Sequence, residues 1–231
     1  MTTAGFYGKL AGRGDFIHRG LPPAFIEAWD QWLAAGMAQS QAELGAAWLD
    51  AYLVSPLWRF AIAPNLLGGD AVVGVVMPSI DRVGRYFPLA IAVLLDERTN
   101  LGAIVGGADD WFDRAEALLL STLELEADFD AFEAGVQGLG SPLVTTRHDA
   151  RLSEAGALRY AVQGGESRQA VLAQIASDGC SFWWGHGSER VAAELVRFQG
   201  LPPTRYFSRF LVGEGAVEQP AGIGQIDFGS L

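Results

Sequence analysis

Three apolar segments separated by short polar turns constrain the fold of this 231-residue chain more than any other feature. The segments cover residues 58–63, 71–77 and 88–95, and the turns between them lie at 65–70 and 81–86. Short apolar runs bounded by Gly, Pro, Asn or Asp are typical of buried β-strands. Turns of this length join neighbouring strands in antiparallel order. The sequence therefore predicts an antiparallel meander.

Segments with helical periodicity lie before and after these strands. Apolar residues recur at spacings of three and four in five segments, which predicts helices at 25–44, 46–54, 109–123, 128–136 and 168–176. Prolines 202 and 203 open a last helix, and further strands are predicted at 6–10, 180–185 and 194–199. This order predicts an α/β fold, a sandwich of a largely antiparallel (mixed) β-sheet with helices packed on its faces. We expect one domain at 1–212 and a flexible Gly-rich tail at 213–231.

Two adjacent tryptophans, Trp183 and Trp184, lie on one of the predicted strands. Successive side chains of a strand point to opposite faces of the sheet. We therefore expect one indole ring on each face, with the inner ring in the core and the outer ring covered by a helix or a partner.

The net charge of −11 argues against nucleic acid and anionic membranes as general partners. The charge is local, because residues 101–140 hold nine acidic side chains against the single basic Arg114. Three of the nine, at 109, 110 and 113, fall in the first turn of a predicted helix, where carboxylates favour the helix dipole. The dipole does not explain those at 124, 126, 128, 130 and 133. We interpret the stretch as a solvated face, with an acidic docking surface as the alternative.

Cysteine usage and the N-terminal sequence indicate the cytoplasm. Cys180 is the only cysteine, so no intrachain disulfide can form, which fits a reducing compartment. Residues 1–9 lack the charged and then apolar layout of a signal peptide. The apolar run 71–80 is too short to span a bilayer, so no membrane insertion is expected.

Two loops concentrate charge within apolar sequence. The first contains Arg13 and Asp15 among glycines, but it lacks the Gly-Lys-Ser/Thr ending of a phosphate-binding loop. The second contains Asp81, Arg82 and Arg85. These arginines form either an anion pocket or a brace to Asp15 or Asp81 that holds the two loops together. The brace is favoured, because a half-buried arginine usually has a carboxylate partner.

No catalytic or metal-binding set is recognisable. His18, His148 and His186 are scattered and lack the spacing of metal ligands. Cys180 and His186 could form a nucleophilic Cys–His pair, although a buried structural cysteine is the commoner case. We expect no enzyme activity, no cofactor and no metal.

Several segments together resemble the TagF family, accessory proteins of bacterial type VI secretion: 5–10, 12–16, 58–60, 77–88 and 181–184. The similarity extends from the N-terminus to about Gly213. It implies a post-translational repressor of secretion-machine assembly that acts by protein contact without catalysis. The implied partner is the system's forkhead-associated scaffold protein, together with its Ser/Thr kinase and phosphatase pathway. A small-ligand or nucleotide sensor with an Arg-lined anion pocket stays open as the alternative function.

Overall fold

A computed structural model describes residues 3–124, 126–142 and 145–214 of the chain. The strands are β1 (Gly5–Gly8), β2 (Ile17–Arg19), β3 (Trp58–Ile62), β4 (Ala71–Met77), β5 (Leu89–Leu95), β6 (Ala150–Leu152), β7 (Leu158–Tyr160), β8 (Cys180–Trp184) and β9 (Leu195–Gln199). The helices are α1 (Pro23–Leu44), α2 (Trp48–Leu53), α3 (Leu101–Val105), α4 (Asp109–Ser121), α5 (Phe129–Leu139), α6 (Gly165–Ser177) and α7 (Phe207–Val212). Short 3-10 turns at Gly45–Ala47 and Thr204–Tyr206 precede α2 and α7.

Seven strands form one sheet in the order β2-β1-β5-β4-β3-β8-β9, and β6 and β7 form a separate two-stranded sheet. The predicted meander is confirmed, because β4 pairs with β3 on one side and with β5 on the other. Every strand pair among the described residues is antiparallel, so the sheet is antiparallel throughout that part of the chain. The α/β fold class is confirmed.

One face of the sheet is covered by α1 and α7 through an aromatic cluster. Phe60 and Trp183 project from the sheet, and Trp29 of α1 packs on both, at ring-centroid distances of 4.8 and 6.3 Å. From α7, Phe210 lies 5.3 Å from Trp183. Trp29 and Phe60 are fully buried. Flat aromatic surfaces of this size contribute much of the apolar area that holds a helix to a sheet.

The opposite face is covered by α3, α4 and α5. Side chains of β1, β4 and β5 on this face form one apolar cluster with these helices, including Phe6, Val73 and Ile91. Trp184 points to this face, where its ring lies 4.8 Å from that of Phe112 on α4. The predicted placement of Trp183 and Trp184 on opposite faces is therefore confirmed.

The structure contains elements that periodicity does not predict. These are β2, α3 and the hairpin of β6 and β7, which have only three to five residues each. Such short elements carry no readable period. The predicted helix 46–54 begins as a 3-10 turn and ends at Leu53. Of the predicted tail 213–231, residues 215–231 lie outside the described part. No helix in that described part is both long enough and apolar enough to cross a bilayer.

We expect Gly36→Ala to destabilise the protein, although alanine is the better helix former. A Cβ at Gly36 of α1 would lie 2.3 Å from the ring of Phe207, a buried residue of α7. Overpacking of this kind lowers the free energy of unfolding by about 1–3 kcal/mol. Chemical denaturation of wild type and variant measures this loss in the free energy of unfolding.

Gly138→Ala is the matched control for Gly36→Ala. A Cβ at Gly138 of α5 meets nothing within 4 Å. The control should leave the free energy of unfolding unchanged or raise it by about 0.5 kcal/mol. Equal effects of the two substitutions would contradict tight packing of α7 on α1.

Candidate functional site

The two charged loops meet at one end of the sheet. We define the two-loop site as residues 9–16, which follow β1, together with residues 78–88, which join β4 to β5. Because Gly8 pairs with Leu89, the chain leaves β1 where it enters β5. The backbone N–H of Arg82 donates to the carbonyl oxygen of Arg13 at 2.9 Å, so the loops are joined directly.

The carboxylate of Asp81 lies at the centre of the two-loop site. Its Oδ2 is 3.0 Å from Nζ of Lys9 and accepts a hydrogen bond from Nε of Arg85 at 2.6 Å. Its Oδ1 accepts from the backbone N–H groups of Val83 and Arg85 at 3.0 and 2.9 Å. The Asp81 side chain is fully buried and that of Lys9 is 7% exposed. The carboxylate therefore ties the first loop to the second.

Two opposing effects set the pKa of Asp81. Burial removes water and disfavours the charged form, whereas the hydrogen bonds from Arg85, Lys9 and Val83 favour it. The donors outweigh burial and hold the pKa of Asp81 well below its usual range. Asp81 therefore stays ionised at all but very acidic pH.

The five sequence-predicted residues all lie in the two-loop site, where they have different roles. Arg85 also donates to the carbonyl oxygen of Gly14 and lies 3.9 Å from the exposed carboxylate of Asp15. The guanidinium of Arg13 lies 4.4 Å above the ring of Phe129, and Arg82 is exposed. Asp81 and Arg85 are engaged within the site, whereas Arg13, Asp15 and Arg82 lie at its surface. Ligand binding by these residues stays a prediction.

Sequence reasoning missed Lys9, which makes the buried ion pair between the loops. The expected brace joined Arg82 or Arg85 to Asp15 or Asp81; Arg85 pairs with Asp81 within its own loop and, at the longer distance of 3.9 Å, with the exposed Asp15 of the first loop. A signal was present, because Lys9 is the only lysine of the chain and directly follows a buried strand. A buried ammonium group requires a counter-charge.

An apolar cleft lies beside the two-loop site, where α2 and the end of α4 approach Ile80. It is lined in part by Leu53, Leu57 and Leu123. Leu53 and Leu123 are 58% and 60% exposed, and Val83 at the tip of the second loop is 64% exposed. Leu53 and Leu123 thus expose apolar area on the same cleft, and contiguous exposed apolar area is typical of surfaces that contact other proteins.

A second polar centre surrounds Arg59 of β3, whose side chain is 3% exposed. Its guanidinium donates to Glu116 at 2.7 and 2.9 Å, to Asp113 at 2.6 Å and to Asp109 at 3.2 Å. His186 Nε2 lies 2.8 Å from the same group. Burial lowers the pKa of Arg59, but these carboxylates more than offset it and raise the pKa above its usual value. The acidic face of α4 therefore anchors the helix to the sheet.

Several of the remaining acidic residues in 101–140 also have structural contacts. Asp128 caps α5, accepting hydrogen bonds from the backbone N–H groups of Asp130 and Ala131. Glu133 pairs with Arg19 at 3.2 Å. Asp130 lies in the first turn of α5, where the helix dipole favours it. Much of the acidic stretch therefore has a structural role, and its docking of a partner stays a prediction.

Asp113, Glu116 and His186 have ligand atoms within 4.8 Å of one another, the spacing of a metal site. Nη2 of Arg59 already lies 2.6, 2.9 and 2.8 Å from these three residues. The guanidinium thus supplies the cation that their charge requires, and a metal ion there would meet its repulsion.

The alternative of a Cys180–His186 pair finds no support in the contacts of the two residues. The Cys180 thiol is buried against the carbonyl oxygen of Asp178 and Oε1 of Gln199, at 3.1 and 3.4 Å. His186 instead contacts Arg59 and Glu116.

An antiparallel sheet between helical layers, with braced loops at one end, defines an α/β sandwich protein. Residues 5–139 match the family profile of the TagF N-terminal domain, described as type VI secretion system-associated. This match covers more than half of the chain, which therefore belongs to the TagF family of type VI secretion-associated proteins.

The fold also matches a solved structure, the crystal structure of PA0076 from Pseudomonas aeruginosa PAO1. The two sequences are 60% identical over 96% of this chain and 99% of that one, with a TM-score of 0.89. No curated protein matches the sequence.

Asp81→Asn should lower the melting temperature at neutral pH, because it removes the charge that holds Lys9 and Arg85. The pKa of Asp81 is depressed in the folded protein, so its stabilisation is complete above the unfolded value of about 3.9 and declines as pH falls below it. The melting-temperature gap to wild type should therefore be constant from about pH 5 to 7 and narrow below about pH 4. A gap independent of pH down to pH 2 would contradict this assignment.

Arg59→Leu should lower the free energy of unfolding by about 2–3 kcal/mol, since it leaves three carboxylates without their cation. The expected loss is below that of a fully buried pair because Asp109 and Asp113 stay hydrated. Arg19→Leu is the control, because its exposed pair with Glu133 is worth at most about 1 kcal/mol. Urea denaturation of both variants measures the difference, and similar losses would show that Arg59 is no special anchor.

Proposed function

We propose that this protein represses type VI secretion after translation, by contact with another protein and without catalysis. Membership of the TagF family supports the link to the secretion system. The mode of action rests on one observation: a rigid pair of loops presents exposed charged and apolar side chains beside an apolar cleft. The two-loop site and the cleft residues lie within the family-matched region 5–139.

Rigidity is the property of the two-loop site that suits it for protein contact. A docking loop that must first become ordered weakens binding, because each fixed side chain costs conformational entropy. Here Asp81 fixes the loops through Lys9, Arg85 and backbone N–H groups. Arg82 and Val83, at the tip of the second loop, are thus held in position before any partner arrives.

The partner we propose is the forkhead-associated scaffold protein of the secretion system, and the place of contact is the cytoplasm. This choice follows the resemblance to the TagF family. The surface offers a partner two kinds of contact. Arg13 and Arg82 present exposed cations for its carboxylates. Leu53, Val83 and Leu123 present apolar area that contact with a partner would bury.

The geometry favours protein contact over the alternative of a small-anion or nucleotide sensor. Of the three arginines available for an anion pocket, Arg85 is already bound to Asp81 and to the carbonyl oxygen of Gly14. The carboxylate of Asp15 lies in the same small depression as Arg13 and Arg82 and would oppose an anion there.

A double variant, Val83→Asp with Leu123→Asp, tests the proposal. Both side chains are exposed, so the fold should tolerate the change, whereas burying an unpaired carboxylate in an interface should weaken scaffold binding by tenfold or more, about 1.4 kcal/mol. Overexpressed wild type should suppress effector release in a type VI secretion assay. The double variant should melt like wild type and fail to suppress release.

Leu172→Asp is the matched control, because Leu172 is 65% exposed on α6, outside the two-loop site and its cleft. It should repress secretion like wild type. Calorimetry of wild type with the purified scaffold protein tests the proposed partner independently of the proposed contact site. Full repression by the double variant would refute the site, and repression without scaffold binding would refute the partner.

A further inference from the structure

The hairpin of β6 and β7 is a second surface feature, remote from the two-loop site. It lies near the end of β5 from which the chain continues toward α3, because Arg147 N–H donates to the carbonyl oxygen of Arg98 at 2.8 Å. The two-loop site lies at the other end of β5. A seven-residue strand separates the two surfaces by roughly 20 Å.

The hairpin is anchored at its base. The buried amide of Gln174 accepts from His148 N–H at 2.7 Å and donates to the His148 carbonyl oxygen at 3.0 Å. Its turn is also well formed, with hydrogen bonds from Ser153 N–H to the carbonyl oxygen of Ala157 and from Gly156 N–H to that of Ser153. Gly156 has φ +80°, as this turn requires. The two strands are therefore preformed.

One face of the hairpin carries an unfavourable pair of charges. Arg151 lies directly opposite Arg159 on the partner strand, and both are exposed. Like charges directly opposite one another destabilise a strand pair. Among the described residues neither arginine forms an ion pair, although nearby Arg98 and Arg147 pair with Asp149 and Asp178. Asp149 lines the same depression as these two arginines, but its carboxylate is paired with Arg98, so Arg151 and Arg159 have no anionic partner of their own among the described residues.

The other face of the hairpin carries exposed apolar side chains. Leu152 lies directly opposite Leu158, and the two are 72% and 62% exposed. A hairpin of two strands is marginally stable in water, and a third strand with a hydrophobic face stabilises it. Outside their pairing with each other, β6 and β7 join no other strand in the described part of the chain.

We infer that the hairpin binds an extended segment of another protein as a third strand, and that acidic and apolar residues alternate in this segment. Strand side chains alternate between faces, so such a segment places its carboxylates beside Arg151 and Arg159 and its apolar side chains beside Leu152 and Leu158. Its backbone pairs with a free edge of the hairpin. A small anion would neutralise the arginines and leave the leucines exposed. This surface lies outside the family-matched residues 5–139 and is independent of the proposed function.

A pair of synthetic peptides tests the inference on the full-length protein. One is an eight-residue peptide of alternating Glu and Val with blocked termini, and the other has the same composition as four Glu followed by four Val. Fluorescence anisotropy should show that the alternating peptide binds at least about tenfold more tightly. Equal affinities would reduce the interaction to net charge and overturn the inference, as would no binding of the alternating peptide at millimolar concentration.

Two variants test whether the alternating peptide binds at the hairpin or elsewhere on the protein surface. Arg151→Ala with Arg159→Ala should weaken binding of the alternating peptide by about tenfold or more through lost charge-assisted hydrogen bonds. Arg190→Ala, which removes an exposed arginine outside the hairpin, should leave binding unchanged. Equal effects of the two changes would overturn the site.

Hydrogen exchange distinguishes strand addition from simple ion pairing. The bound alternating peptide should slow exchange of backbone amides along one edge of residues 150–160, while those of the two-loop site stay unchanged. In the free protein, Arg159→Glu should also slow hairpin exchange, because it replaces a repulsive pair with an attractive one. Peptide binding without added protection at the hairpin would refute a third strand.

Discussion

The structure depends on a sheet whose central strands are buried on both faces. Strands β3, β4 and β5 have scarcely any exposed residues, so neither face can be left to water. The aromatic cluster under α1 and α7 covers one face, and the apolar cluster under α3, α4 and α5 covers the other. The loops and ion pairs at the ends of the sheet are positioned by these two packed layers.

Two buried charges complete this framework in opposite ways. Asp81 is an anion surrounded by donors, and it fixes two loops to each other. Arg59 is a cation surrounded by carboxylates, and it fixes a helix to the sheet. Each charge would be costly to bury alone, and each has at least one partner from a distant part of the chain: Lys9 for Asp81, and the carboxylates of α4 for Arg59.

The sequence was sufficient to predict the meander, the long helices and the opposite placement of Trp183 and Trp184, because these rest on periods of two and 3.6 residues. It also singled out the loops that contain Arg13 and Asp81. It did not identify Lys9 or the acidic partners of Arg59, which lie 50 to 57 residues away along the chain. An arginine between Trp58 and Phe60 signals a missing counter-charge, but only the fold identifies which carboxylates supply it. The hairpin of β6 and β7 was missed because three exposed residues carry no period.

The order of strands in the sheet has a consequence for how the chain folds. The family-matched region ends at residue 139, yet β3 pairs on one side with β8, which begins at Cys180. A chain released at residue 139 would leave the apolar strand β3 as an open edge and remove Trp183 from the aromatic cluster, a situation that favours aggregation. Likewise β1, made first, finds its neighbour β5 only after more than eighty further residues are synthesised. Completion of the sheet must therefore wait for distant segments, so a ribosome-bound fragment would expose apolar strand edges until β8 emerges.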